Sequence, residues 1–270
     1  MKNTIIKRRG WVPVLAALGL ALGAVSACSK FLEVAPQGQP LTTQFFQNQT
    51  DASYAVASCY AKMREYNTVA FNWFSVAVYP GDDVDKGSTP GDGDYLNDYI
   101  YFRFTATSGD HERIWTAEYQ QINLCNQVIA NVPGISMDAT LRARYVGEAQ
   151  FLRALAYFNL VRAFGGVPLH TKPAETAEEL NLARATRDEV YALLISDLTA
   201  AAATLPAAYG TADIGRATKG AALTLLAKVQ LYQKNYAASL AASDQVLTLG
   251  YSLVPNFYEM FRIRGENGPE

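Results

Sequence analysis

Over residues 148–169 (EAQFLRALAYFNLVRAFGGVPL) apolar side chains crowd nearly every face of a 3.6-residue period. Between Phe151 and Phe164, the apolar Phe151, Leu152, Leu155, Tyr157, Phe158, Leu160, Val161 and Phe164 leave only Arg153, Asn159 and Arg162 as polar positions. A helix apolar on most sides must pack against several neighbours, so it belongs inside a helical array. Gly165 and Gly166 then supply a left-handed stop, and Pro168 forbids continuation. The same period predicts further helices. One runs over 51–66, capped by Thr50 or Asp51, with Tyr54, Ala57, Ala61 and Met63 turned inward. Another covers 112–131, with Trp115, Tyr119, Ile122, Cys125, Asn126 and Ile129 at helical spacing and Pro133-Gly134 as its end. The apolar helix starts near Ala139. Thr186-Arg-Asp-Glu189 is a capping box for the next helix, which Pro206 closes.

The last two helices, over 218–233 and 236–249, form a hairpin about Lys234-Asn235. There Leu223, Leu226, Ala227, Tyr236 and Ser239 follow tetratricopeptide spacing, in which small residues let helices approach closely. Three successive helix pairs predict an all-α, tetratricopeptide-like solenoid, an architecture that usually offers its surface to another protein.

Residues 67–110 interrupt this pattern. They are rich in aromatics, aspartate and glycine, carry two Pro-Gly turns (Pro80-Gly81 and Pro90-Gly91) and hold no sustained period. So long a loop-rich aromatic insertion in a compact domain points to function or disorder. Trp73, Phe74 and Tyr79 precede an aspartate cluster at Asp82, Asp83 and Asp85; Tyr95, Asn97, Asp98, Tyr99 and Tyr101 follow it. Sugar recognition needs this mixture, a flat aromatic face for the ring and planar polar groups for its hydroxyls. Trp73, Asp82, Asp83, Tyr95, Asn97 and Tyr99 are the candidate ligand contacts. Phe71, Trp73, Tyr99 and Tyr101 also alternate like strand residues, so a small hairpin packed on the helices is the competing reading. A calcium loop would need more oxygen ligands and a distal bidentate acid. Aspartates that satisfy turn backbone groups explain the cluster more simply.

The chemical inventory is otherwise sparse. The two histidines, His111 and His170, stand at no metal-ligand spacing, and no nucleophile-elbow or phosphate-loop motif occurs. No catalytic residue, metal or cofactor is expected, and the chain does not read as an enzyme. Half of the residues are hydrophobic, 18% are charged and the net charge is −2. No basic patch argues for nucleic acid. Cys59 and Cys125 fall on predicted helices, as two buried thiols or, in an oxidising compartment, a disulfide.

The N-terminus is different again. Lys2, Lys7, Arg8 and Arg9 form a basic region, followed by an apolar run from Trp11 to Val25. That run is shorter than the ~20 apolar residues a spanning helix needs, so 1–27 reads as a signal peptide. Val25-Ser26-Ala27-Cys28 resembles a lipoprotein cleavage box, which would make Cys28 the lipid-bearing first residue of the mature chain. More than one acyl chain gives stable anchoring.

The run FLRALAYFNLVRAFGGVPL resembles the signature helix of the SusD/RagB family, surface lipoproteins that bind nutrients for outer-membrane import. WTAEYQQINLCN (115–126) is similar to that family's W-x-x-x-Y-x-x-I-x-x-x-N helix, and TRDEVYALLISDL (186–198) and GRATKGAALTLLAKVQLY (215–232) resemble its next two. The resemblance covers nearly everything after residue 28. It implies an outer-membrane protein, lipid-anchored and facing the exterior, that binds an oligosaccharide and delivers it to a SusC-type TonB-dependent porin. The alternatives are the same scaffold binding peptides or another nutrient, or a helical-repeat interaction protein without a transport role. The family runs to roughly twice this length, so 28–270 is expected to be its N-terminal helical domain, ending before a loop-rich second half.

Overall fold

In the computed structural model, residues 45–265 and 268 are described. The signal-peptide and Cys28 expectations lie outside those residues. Residues Phe46–Glu270 form one compact unit that holds every element below. Its long helices are α1 (Gln49–Met63), α2 (Gly109–Asn131), α3 (Ala139–Phe164), α4 (Arg187–Thr204), α5 (Lys219–Tyr232) and α6 (Tyr236–Leu247). Among the described residues there is no strand. Each long helix packs on the next in sequence, α1 also reaching α3. Such neighbour-to-neighbour packing is the one-dimensional stacking of a helical solenoid.

The helix starts follow local chemistry. Asn48, rather than Thr50 or Asp51, caps α1, and Asp51 at the third helical position accepts from the Asn48 and Gln47 amides in return. Asp138 caps α3, Thr218 caps α5, and Thr186 with Glu189 closes a reciprocal capping box on α4. The inward face of α1 is shifted from expectation. Ala52, Ala55, Val56 and Cys59 are buried, while Tyr54 is 64% exposed. The small side chains allow α1 to approach α2 and α3 closely, which a tyrosine on that face would prevent.

Helix α3 is the axis of the core. Tyr157, Phe158, Leu160 and Val161 join Ile122 from α2 and Val190, Leu194 and Leu198 from α4 in one buried cluster. Two glycines end it for different reasons. Gly165 has φ 75° and ψ −135°, a region closed to side chains, though not the left-handed helical region expected. Gly166 has an ordinary φ, but a Cβ there would lie 2.1 Å from the Ala185 carbonyl oxygen. Cys59 and Cys125 are free buried thiols, the Cys125 thiol pushed up by burial and by Cys59 beside it.

Polar groups inside this core act as connectors. Residues 167–172 run back across α2 and α3 as a strap. The Tyr119 hydroxyl donates to the Pro168 carbonyl at 2.7 Å, and Asn126 Nδ2 donates to the His170 carbonyl at 2.8 Å. The Tyr157 hydroxyl accepts from the His170 amide at 2.7 Å. Arg153 completes the joint. It donates through Nε and Nη2 to both Asp197 oxygens at 2.8 and 2.7 Å, and through Nη1 to Asn126 Oδ1 and the Thr171 carbonyl. A second joint surrounds fully buried Glu148, whose carboxylate meets Arg216 at 2.9 Å and Arg144 at 3.2 Å. Asp213 binds both arginines in turn. The Tyr60 hydroxyl, from α1, accepts from the Ala217 amide beside it. In the terminal hairpin the Ser239 hydroxyl donates to the Ala227 carbonyl at 2.9 Å, the close approach that small residues were expected to permit.

Asp197→Ala is predicted to strand the buried Arg153 charge and to destabilise the protein by about 3–5 kcal/mol. Urea denaturation checks this, and a loss under about 1 kcal/mol would mean that the pair contributes little.

Candidate functional site

The segment between α1 and α2 is not the open loop its composition suggested, nor the competing hairpin. It forms short helical turns at Tyr66–Val69, Phe71–Trp73 and Leu96–Ile100, with a π-turn at Phe74–Val78. A lysine organises the stretch between them. The Lys86 side chain is only 8% exposed, and its ammonium donates to the Thr89 and Asp92 carbonyls beside the Asp94 carboxylate. Asp94 also accepts from the Gly91 amide, and Asp85 from the Lys86 amide. Those two aspartates thus satisfy turn backbone groups. Asp82 and Asp83 are exposed on the preceding bend. No cluster of three metal-ligating side chains occurs among the described residues.

The six sequence candidates separate. Tyr95 and Tyr99 come together in a pocket of about 280 Å³, with Asp98, Ser108, Asp110 and Arg113. Trp73 lines a different groove. Its indole N–H donates to the Thr68 carbonyl at 2.8 Å, and the Arg162 guanidinium lies 5.8 Å from its ring centre. Asn97 is half-buried beside the first pocket without lining it.

Tyr99 cannot offer a stacking face. Its ring is 2% exposed, stacked on Phe104 at 5.3 Å and tilted against His111 at 5.5 Å. What it brings to the pocket is its hydroxyl, pushed up to about 12 by burial and by the Asp110 charge and so a neutral donor. Asp110, on the first turn of α2, is 1% exposed and holds Arg113 Nη1 at 2.6 Å through Oδ1. Its Oδ2 is buried without a hydrogen-bond partner, and the Tyr99 hydroxyl is buried close to Ser108 and the Asp110 backbone without a well-formed hydrogen bond to either. A buried polar atom left unpaired costs about 1–3 kcal/mol, which a ligand hydroxyl placed there would recover. Tyr95, 47% exposed, stands at the rim with its face open.

Sequence reasoning missed Asp110 and Arg113, because an acid in a helix's first turn reads as an ordinary dipole partner. It also missed Phe102. That residue has φ 54° and is 69% exposed, close to Phe104 and next to the Arg103–Asp98 ion pair. Bulky residues in the left-handed region are strained, and such strain collects at functional sites.

Below Trp73 lies a buried relay. Glu118, 1% exposed, accepts from Asn159 Nδ2 at 2.9 Å, and Asn159 Oδ1 accepts from Arg162 at 2.6 Å. Burial pushes the Glu118 carboxyl up to about 8, against the opposing pull of Asn159, Trp73 and Arg162. A further cleft of about 300 Å³, mainly apolar, opens between α2 and the strap beside Trp115, Tyr119 and His170. Burial lowers the His170 imidazole there.

Comparison with known proteins accords with this architecture. A SusD-like family model, described as "Starch-binding associating with outer membrane", matches residues 30–231, and the chain belongs to that family. A curated SusD-like protein of Formosa agariphila is 30% identical over 242 residues, which are 88% of this chain and 46% of that protein. A solved structure described as a laminarin-binding SusD-like protein is 30% identical, with TM-score 0.73, over 83% of this chain and 50% of that one. A SusD-like protein from Bacteroides fragilis superposes with TM-score 0.71 at 25% identity, over 86% of this chain and 46% of its own. The chain spans about half the length of the curated relatives it matches.

Glu118 gives this site a pH signature. Its folded value exceeds the ordinary value of 4.5, so the folded state keeps a proton that the unfolded chain releases. This group's contribution to stability therefore declines as pH rises from about 4.5 to about 8. Glu118→Gln, which retains the acceptor for Asn159, is predicted to be more stable than the parent at pH 8 and equal to it near pH 4. Melting curves across that range check the sign, and a constant difference would disprove it.

Proposed function

We propose that this protein is an outer-membrane lipoprotein, anchored through Cys28 and facing the exterior, that binds an oligosaccharide and hands it to a SusC-type TonB-dependent porin. In this reading residues 1–27 are the leader and 28–270 belong to the mature binding protein. The observation that carries it is the polar pocket beside Tyr95, in a chain of a family described as starch-binding and associating with the outer membrane. One of the solved relatives is described as binding laminarin, itself a glycan. A rim aromatic with two unpaired buried polar groups beneath it suits a sugar ring, apolar on one face and edged with hydroxyls.

The saccharide is bound and released unchanged. Delivery to a porin requires reversible capture, so affinity is expected in the micromolar to millimolar range, about −8 to −4 kcal/mol. Tyr95 acts as platform, Tyr99 and Asp110 as hydroxyl partners, and Asn97 with exposed Asp82 and Asp83 as outer contacts.

Calorimetry against neutral oligosaccharides and peptides tests this reading. Tyr95→Ala and Asp110→Asn are each expected to weaken oligosaccharide binding by about five- to tenfold, the size of one lost hydrogen bond or stacking contact. Unchanged affinity in both variants would move the site elsewhere, a bound peptide would replace the saccharide, and any turnover would refute a pure binding role. Cys28→Ala should shift the protein from the membrane to the soluble fraction, and its retention in the membrane would refute lipid anchoring there.

A further inference from the structure

The groove that Trp73 lines has a different chemistry from the Tyr95 pocket. It measures about 600 Å³ and lies between the Phe74–Val78 π-turn, the end of α3 and the start of α4. Trp73, Arg162, Gly165, Arg187, Tyr191 and Tyr232 are among its walls, and no carboxylate is. This is unexpected in a chain with 25 acidic and 23 basic side chains. Both arginines are exposed, and neither forms an ion pair with a carboxylate among the described residues.

Arg162 is held in place from behind. Its Nη2 donates to Asn159, its Nε donates to the Phe158 carbonyl at 3.3 Å, and its guanidinium lies 4.5 Å from the Phe158 ring centre. Those contacts occupy one side of the fork, and the exposed guanidinium keeps further N–H donors for a ligand. Tyr232, packed edge-on against Phe158, is 47% exposed and presents an aromatic surface across the groove. Glu118, linked to Arg162 through Asn159, is pushed up to about 8 by its burial, which weakens its opposing charge at neutral pH.

We propose that this groove is a second ligand site, for an anionic saccharide whose carboxylate or sulfate pairs with Arg162 and Arg187 while its ring packs on Tyr232. The proposal rests on the carbohydrate-binding reading above. Planar guanidinium forks match carboxylate and sulfate oxygens in pairs, and aromatic walls accept the apolar face of the sugar. Neither a neutral glycan nor a bare anion uses both features.

The test is calorimetry of the whole chain with a neutral gluco-oligosaccharide, an oligoglucuronide, a sulfated oligosaccharide, an acidic peptide and inorganic sulfate. The parent is compared with Arg162→Gln/Arg187→Gln and with Tyr95→Ala. A charged hydrogen bond lost here corresponds to about a ten- to hundredfold weakening. The double variant should show that loss for the anionic saccharide and keep its neutral-glycan affinity and its melting temperature. Tyr95→Ala should do the converse. Arg162→Lys, which keeps charge without the fork, should fall between. Binding of the anionic saccharide should also weaken as salt is raised. Neutral binding without anionic binding, or anionic binding unchanged in the double variant, overturns this site and leaves the function standing. Sulfate or the acidic peptide binding as tightly through the same arginines overturns the saccharide assignment. Failure of every saccharide overturns the carbohydrate reading and this proposal with it.

Discussion

One buried guanidinium holds the helical stack in register. Arg153 projects from the middle of α3 and reaches α2 through Asn126, α4 through Asp197 and the returning strap through Thr171. Removing this charge from water is expensive, and only a full set of well-placed acceptors offsets that cost. The bidentate pairing with Asp197 supplies two of them, the amide and carbonyl two more. A helix rotated by one residue would carry the guanidinium about 100° away from these partners. The apolar contacts around Tyr157, Leu160 and Leu198 stabilise the core without direction, whereas this cluster selects one mutual arrangement of three helices.

The same logic recurs at both ends of α3. Toward its start, Glu148 gathers Arg144 and Arg216, with Asp213 sharing the charge. Toward its end, Glu118, Asn159 and Arg162 run from the interior to the surface. Polar side chains inside α3 are therefore the places where other segments attach. Arg162 is the one that continues outward, which joins the rigid core to a groove on the surface.

That rigidity matters for the segment between α1 and α2. Its short helical turns and the Lys86-centred loop are displayed on packed helices, the usual arrangement for recognition residues. The two concave surfaces that result make opposite demands. One is small and shaped around unpaired hydroxyl and carboxylate groups, the other broad, aromatic and cationic.

Much of the scaffold was legible in the sequence because its signals are local. Helical periodicity, the Thr186 capping box and the glycine stop after Phe164 each depend on a few consecutive residues, and α2 to α6 begin within a few residues of where these signals place them. The signature motifs were legible as a pattern but not as a mechanism. Tyr119, Asn126 and Arg153 clamp a strap that no spacing rule predicts. The site was less legible. Aromatic and aspartate richness singled out residues 67–110, yet whether a tyrosine ring stacks on a ligand or on Phe104 depends on what the fold places beside it. Tertiary structure alone buried Tyr99, turned Tyr54 outward, divided Trp73 from Tyr95 and left Asp110 with an unpaired oxygen. Helix formation is decided within a few residues of sequence, whereas burial and pairing are decided by groups dozens of residues away.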